Sequence, residues 1–128
     1  MIVGIGIDSI EIARFAQWYT YSQKQLLRVF SHEEIAYCLL VTAKSAERFA
    51  VRFAAREALF KAYSAWQPDH KIPFLKFCKA VTISKKNDIP FVTIDAQIIT
   101  ANYTILISLT HTTTTATAFA ILENSAHL

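Results

Sequence analysis

Hydrophobic and polar positions change their period several times along this chain. At the start, IVGIGIDSI alternates β-branched residues with glycine, which predicts a strand ending near Asp8. From Glu11 to Trp18 and from Gln23 to Val29 the spacing turns helical over short runs. Ser31 followed three residues later by Glu34 is a capping box, so SHEEIAYCLL opens a helix. Phe49, Phe53 and Phe60, with Ala50 and Val51 beside them, supply a wide apolar stripe. That stripe predicts one long helix from an N-cap at Ser45 to about Ala65. Pro68 and Pro73 bracket a loop. Beyond it, AVTISKK and PFVTID read as strands around a Lys86-Asn87-Asp88 turn. Asp95 to Ala101 reads as one or two helical turns, and YTILISLTH and TATAFAILE as a closing hairpin joined through threonines. No internal repeat and no linker appears, so residues 1–128 read as a single domain. Strand, then helices, then strands is the order of an α+β fold.

Charge changes this picture because it is localised. The chain carries 13 Lys and Arg against 10 Asp and Glu. Five of the former (Lys44, Arg48, Arg52, Arg56, Lys61) and two of the latter (Glu47, Glu57) lie between positions 44 and 61, which leaves eight of each sign elsewhere. The net charge of +3 therefore belongs to the long helix, and it points to a local anionic ligand more than to a diffuse polyanion surface. Arg48, Arg52 and Arg56 share one helix edge, while Glu57 and Lys61 share a neighbouring edge in the orientation that favours an ion pair. Two readings compete for this array. One is a solvated face with stabilising pairs. The other is a strip whose cations hold phosphates and whose carboxylate holds a metal such as magnesium.

Composition narrows the class. With 53% hydrophobic and 18% charged residues the chain is globular. Cys38 and Cys78 have no CxxC partner, so two reduced thiols in a cytoplasmic protein are expected. MIVGIGIDSIE lacks the basic lead and apolar run of a signal peptide, and no apolar run is long enough to span a bilayer. Asp8 follows GIG, where glycines let a backbone or a ligand approach closely; its alternative role is a helix N-cap. The third glycine of a dinucleotide fingerprint is missing. His111 sits at a strand end among hydroxyls, with Ser108 and Thr110 on one face and Ile107 and Leu109 on the other. No hydrolase elbow is present, and His32, His70, His111 and His127 show no zinc-ligand spacing.

Three segments, in order and at matching separations, resemble the holo-acyl-carrier-protein synthase family of 4'-phosphopantetheinyl transferases. GIGIDSIEIARF, positions 4–15, resembles its G-x-D-x-x-E-x-x-R opening. RFAVRFAAREALFKA, positions 48–62, resembles its R-F-A-x-K-E-A-x-x-K-A helix. ISLTHTTTTATAFAILE, positions 107–123, resembles its closing S-x-S-H hairpin, with Thr110 for the second serine, and RVFSHEEIAYC, positions 28–38, fits between. The resemblance implies one long central helix packed against a mainly antiparallel sheet. It also implies transfer of phosphopantetheine from coenzyme A to a serine of apo acyl carrier protein, in support of fatty acid biosynthesis. Asp8 and Glu57 match the family's Mg2+ ligands, and Lys61 matches the lysine on the diphosphate. Arg52 and His111, with Arg56 beside them, match positions that bind coenzyme A; Arg14 and Arg28 lie where the family meets its acidic carrier protein. A homotrimer with sites at subunit interfaces is implied, with neither nucleic acid nor membrane as partner.

The chain departs from that pattern at three places. Arg56 stands where the family usually has lysine, which keeps the charge but not the capacity to carry a proton. The family's glycine-rich loop after the helix is replaced by YSAWQPDHKIPF, and its Gly-Lys-Pro turn by Asp88-Ile89-Pro90, here read as structural only. Two rival readings are a non-catalytic relative that binds coenzyme A or the carrier, and a small basic nucleic-acid module. The neutral remainder of the chain argues against the second.

Overall fold

A computed structural model of the chain describes residues 1–99 and 102–125. Strand β1 (Ile2–Glu11) opens the chain. Two 3-10 turns, Ile12–Phe15 and Trp18–Thr20, lead to helices α1 (Gln23–Leu26), α2 (His32–Leu39) and α3 (Thr42–Trp66). Helix α4 (Phe74–Ala80) precedes the hairpin β2 (Val81–Lys86) and β3 (Ile89–Ile94), and β4 (Tyr103–His111) and β5 (Thr115–Asn124) close the chain. β5 runs between β1 and β4, antiparallel to both, and β2 pairs with β3. The α+β class and the helix-on-sheet arrangement expected from the resemblance are what the chain adopts.

The contact between α3 and the sheet is set by small residues. β1 points Gly4, Gly6, Asp8 and Ile10 toward the helix and Ile5, Ile7 and Ser9 away from it. A Cβ at Gly4 would lie 2.1 Å from the Ala62 carbonyl oxygen, and one at Gly6 would lie 1.8 Å from that of Ala58. The glycines of GIG thus admit the backbone of α3, and no ligand is needed to explain them. Ala54, Ala55, Ala58 and Ala62 on the helix meet Ala116, Ala118 and Ala120 of β5, all buried. One consequence is testable. Gly6→Ala forces α3 off β1, and a cost of about 3 kcal/mol is expected, the upper part of the usual overpacking range. Urea denaturation of the variant measures it.

Several elements differ from expectation. β1 continues past Asp8 to Glu11, so Asp8 sits within a strand and caps no helix. The helix expected over Glu11 to Trp18 is reduced to 3-10 turns, because Phe15 and Trp18 must turn in to stack 4.5 Å apart. α1 stops at Leu26, short of Val29, after a Ser22–Gln25 capping box. α3 begins at Thr42 with Val41 at the N-cap and no side-chain cap. Ser45 is buried inside the helix, since the short turn after α2 brings the chain straight into α3. α4 was not expected; it forms because Phe77 and Cys78 seal the core. The β2–β3 turn is the expected one, with Asn87 and Asp88 both at positive φ, 53° and 64°, as a two-residue hairpin requires. Residues 96–98 form a turn in which Gln97 N donates to Asp95 Oδ1; the end of the expected helix, residues 100–101, lies outside the described residues.

Cys38 and Cys78 are free and buried, and burial pushes both thiols up to about 12. Among the described residues no helix is long and apolar enough to cross a membrane.

Candidate active site

The close approach of α3 to β1 brings Asp8, Glu57 and Lys61 together. Lys61 Nζ donates to the Ile7 carbonyl at 2.9 Å and to Asp8 Oδ1 at 3.3 Å. The expected partner of Lys61 was Glu57 one turn back; the ammonium reaches across to β1 instead, because Gly6 lets the strand pass beneath it. Asp8 is largely covered while the Lys61 side chain is 53% exposed, so the cation can swing toward a ligand. Glu57 is half-buried. Burial first, and the Asp8 carboxylate second, push its carboxyl above the usual glutamate range; Lys61 and Arg14 pull it back. Like charges are therefore held near each other with incomplete compensation, a state that a cation relieves.

Arg52 and His111 meet at a second place. They line a cavity of about 300 Å³ with Tyr37, Arg48, Lys85 and Asp88. Arg48 and Arg52 lie over the Tyr37 ring, 4.0 and 4.6 Å from its centre, and Lys85 approaches it at 6.0 Å. Arg52 is only 6% exposed, and among the described residues its Nε has no hydrogen-bond partner, with Glu34 Oε2 at 3.9 Å. Arg48, Arg52 and Lys85 together give this cavity a cationic lining suited to an anion. His111 Nε2 lies 3.1 Å from Glu47 Oε1, which holds the ring at the cavity edge. Pro90 and Asp88 also line the cavity, so the turn read as structural belongs to this site.

Arg56 does not. Its side chain is fully buried. Nη1 and Nη2 fork onto Glu34 at 2.8 and 2.5 Å, Nε donates to the Cys78 carbonyl, and Nη2 also donates to the Val81 carbonyl. The expectation that Arg56 binds coenzyme A is corrected accordingly: every direction its guanidinium can point is filled by protein. The i, i+4 array of arginines is divided, with two members at the cavity and one in the core. Arg14 is exposed, its guanidinium 5.9 Å from the Phe53 ring centre and close enough to Glu57 to lower its pKa. Arg28 is exposed beside α4, away from both groups.

Tyr37, Lys85, Asp88 and Pro90 were missed from sequence. Nothing in the spacing of Tyr37 and Lys85 shows that they converge, since they come from different elements and meet only through tertiary packing. His127 lies outside the described residues.

Comparison with known proteins identifies the family and the fold. The 4'-phosphopantetheinyl transferase superfamily matches residues 4–120. The holo-[acyl-carrier-protein] synthase of Treponema denticola is 34% identical over 96% of this chain and 99% of its own length. That of Ehrlichia ruminantium is 36% identical over 98% of this chain and 100% of its own. A Bacillus anthracis holo-(acyl-carrier-protein) synthase, solved in complex with coenzyme A (3',5'-ADP), superposes with a TM-score of 0.77 at 26% identity, covering 98% and 99% of the two chains. The acyl carrier protein synthase of Mycobacterium tuberculosis superposes with a TM-score of 0.75 at 29% identity, covering 97% and 99%. The order of motifs, the fold and full-length relatives coincide, and the chain belongs to the 4'-phosphopantetheinyl transferase superfamily.

Proposed function

We infer that this chain transfers the 4'-phosphopantetheine group of coenzyme A to a serine of an apo acyl carrier protein, releasing adenosine 3',5'-bisphosphate. The observation that carries this reading is the convergence of Asp8, Glu57 and Lys61 from β1 and α3 at one partly exposed place. Full-length relatives bear the name holo-[acyl-carrier-protein] synthase, and relatives of similar fold were solved with coenzyme A. Fatty acid biosynthesis in the cytoplasm is the setting that suits a carrier-loading activity and two free thiols.

Asp8 and Glu57 would hold Mg2+. The fit rests on their mutual repulsion. The chain offers two carboxylates here, and phosphate oxygens and water would complete the shell, which is magnesium's preference. When bound, the ion would offset charge that develops on the diphosphate in the transition state. Lys61 turns from Asp8 onto the same diphosphate. Arg52, with Arg48, Lys85 and His111, takes the 3'-phosphate at the cavity they line. Arg14 beside Glu57 and Arg28 further off meet the carrier protein, where charge speeds encounter and sets orientation.

Asp8, Glu57 and Lys61 do not line the cavity of Arg52 and His111. A homotrimer resolves this by composing each site from two copies. The outer face of the sheet supports it, since Ile5, Ile7, Leu106 and Phe119 stand exposed there, and Ile7 faces Phe119 across the β1–β5 ladder. Phe119→Asp is expected to yield monomers by light scattering, with transfer lost and the helix content kept.

The test of the reading is the intact mass of apo acyl carrier protein after incubation with this protein, coenzyme A and magnesium. One added phosphopantetheine per carrier is expected. Coenzyme A binding without any gain, across several carriers, would leave a non-catalytic binder instead.

The pH dependence has a definite sign. Glu57 binds the cation only when ionised, and its carboxyl lies above the usual range. Metal-free protein should therefore take up a proton at Glu57 at higher pH than an exposed glutamate, about 4.3. In Asp8→Asn that midpoint should fall part of the way, since burial remains. A carboxyl NMR titration of the metal-free protein reads both.

A further inference from the structure

Four cations, Lys44, Arg48, Arg52 and Lys85, line the cavity of about 300 Å³ against two carboxylates, Glu47 and Asp88. Cations gathered this closely repel one another, and Arg48 and Arg52 stand one helical turn apart, where the repulsion is direct. A carboxylate at their centre would hold them together. It would also neutralise them and compete with an incoming anion. The carboxylates around them are engaged elsewhere. Glu34 comes within 3.9 Å of Arg52 Nε but is forked by Arg56. Glu47 lies 3.1 Å from His111, and Glu33 accepts from the Ser84 hydroxyl at 3.3 Å.

The centre is occupied instead by the Tyr37 ring. The Arg48 and Arg52 guanidinium groups lie 4.0 and 4.6 Å from its centroid, and Lys85 Nζ lies 6.0 Å from it. An aromatic face attracts cations through its quadrupole yet carries no net charge. The ring therefore gathers the three side chains without cancelling them. Its own place is fixed by the backbone. Tyr37 lies in α2 between the buried Ile35 and Cys38, and its carbonyl accepts from Arg48 Nη1 at 2.8 Å. Arg52 Nη1 in turn donates to the Arg48 carbonyl at 3.3 Å. α2, α3 and the end of β2 thus meet on one side chain.

We propose that Tyr37 is a positioning residue that sets selectivity for coenzyme A over ligands lacking the 3'-phosphate. Its ring holds Arg48, Arg52 and Lys85 at the cavity as cations still free to meet that phosphate. The proposal rests on the reading above that seats the 3'-phosphate in this cavity. The ring face acts here and the hydroxyl does not, so phenylalanine should serve as well and an aliphatic side chain should not.

The test is calorimetry of the whole protein with coenzyme A and with dephospho-coenzyme A, which differs only in lacking the 3'-phosphate. Wild type should bind coenzyme A the more tightly. Tyr37→Leu should weaken coenzyme A by about tenfold, the scale of one or two lost cation–π contacts. It should leave the Kd of dephospho-coenzyme A at the wild-type value, and Tyr37→Phe should keep both. Tyr37 is half-buried, so thermal melts accompany each variant, and Tyr37→Met repeats the test with a longer side chain if the leucine variant melts low. If the aliphatic variants weaken both ligands equally, or neither, Tyr37 is a packing residue and the proposal is overturned. Loss of selectivity in Tyr37→Phe also overturns it, since the hydroxyl would then be the active group. Equal binding of the two ligands by wild type would remove the 3'-phosphate from the cavity and the proposal with it, whether or not the carrier is loaded. A wild type that selects coenzyme A through Tyr37 but loads no carrier would sink the transfer reading and leave the proposal standing.

Discussion

Glu57→Gln is expected to lower phosphopantetheine transfer by about 10²–10³-fold, the loss seen when one preorganised charge-stabilising group is removed, while the fold becomes no less stable. The two effects have opposite sign for a physical reason. Burial and the Asp8 carboxylate both disfavour ionised Glu57 in the folded chain, so its pKa is raised on folding. Above that raised pKa the charge costs stability in full, and the cost disappears as pH falls from there to the ordinary glutamate value. Glutamine mimics the neutral form at every pH and removes the cost. Asp8→Asn should lose transfer to a similar extent. It also removes the 3.3 Å pair with Lys61, so its stability gain should be smaller or absent. Coenzyme A should still bind both variants through the Arg52 and His111 cavity, which calorimetry measures separately from the mass-based transfer rate. A fall in melting temperature alongside the loss of transfer in Glu57→Gln would mark Glu57 as a structural carboxylate and remove the basis for the magnesium assignment.

That Asp8 and Glu57 would meet was legible only in part. Periodicity placed Glu57 and Lys61 on one helix edge and Asp8 near the end of a strand, but no spacing rule links positions 8 and 57. The link is Gly6 under Ala58, a contact whose sequence trace is two glycines among alternating isoleucines. The resemblance supplied the pairing, and the helix–strand approach supplies its cause. Strands with strong alternation and a turn of Asn and Asp were readable because those signals are local. α4 was not: seven residues with Phe74, Phe77 and Cys78 on one side make less than two turns, too short for a period to stand out. Ser45 misled because a serine ahead of an apolar run is a good cap in isolation, whereas the tight turn after α2 starts the helix at Thr42. Arg56 misled most. Its i, i+4 relation to Arg48 and Arg52 is real, but the edge they share turns inward along its length, and only the third member passes beneath α4 and β2.

Glu34→Ala is expected to destabilise the protein by about 3–5 kcal/mol, the range for removing one partner of a buried ion pair. For a chain of this size that lowers the melting temperature by about 10–25 °C. Glu34 is 1% exposed and Arg56 is fully buried. With the carboxylate gone, the Arg56 guanidinium keeps only carbonyl partners at Cys78, Val81 and Arg52, and Arg52 beside it loses its nearest carboxylate. The carboxylate half of the Ser31 capping box is lost as well, since Glu34 Oε1 accepts from Ser31 N and Oγ at 3.1 and 2.9 Å, while Ser31 Oγ keeps the backbone N–H of position 34. Arg56→Met leaves Glu34 with the Ser31 donors and Arg52, so its cost should be the smaller of the two single changes. Glu34→Leu/Arg56→Met replaces the pair by apolar volume and should regain most of the loss, because desolvating two charges offsets much of their attraction. A double-mutant cycle by urea denaturation gives the coupling. The same double variant decides the role of Arg56 in function. A side chain enclosed by α2, α3, α4 and β2 cannot touch coenzyme A, so the refolded double variant should bind coenzyme A and load the carrier at close to the wild-type rate. If it folds well and its coenzyme A affinity drops by tenfold or more, calorimetry would return Arg56 to the ligand site, and the lysine-to-arginine departure would bear on chemistry after all.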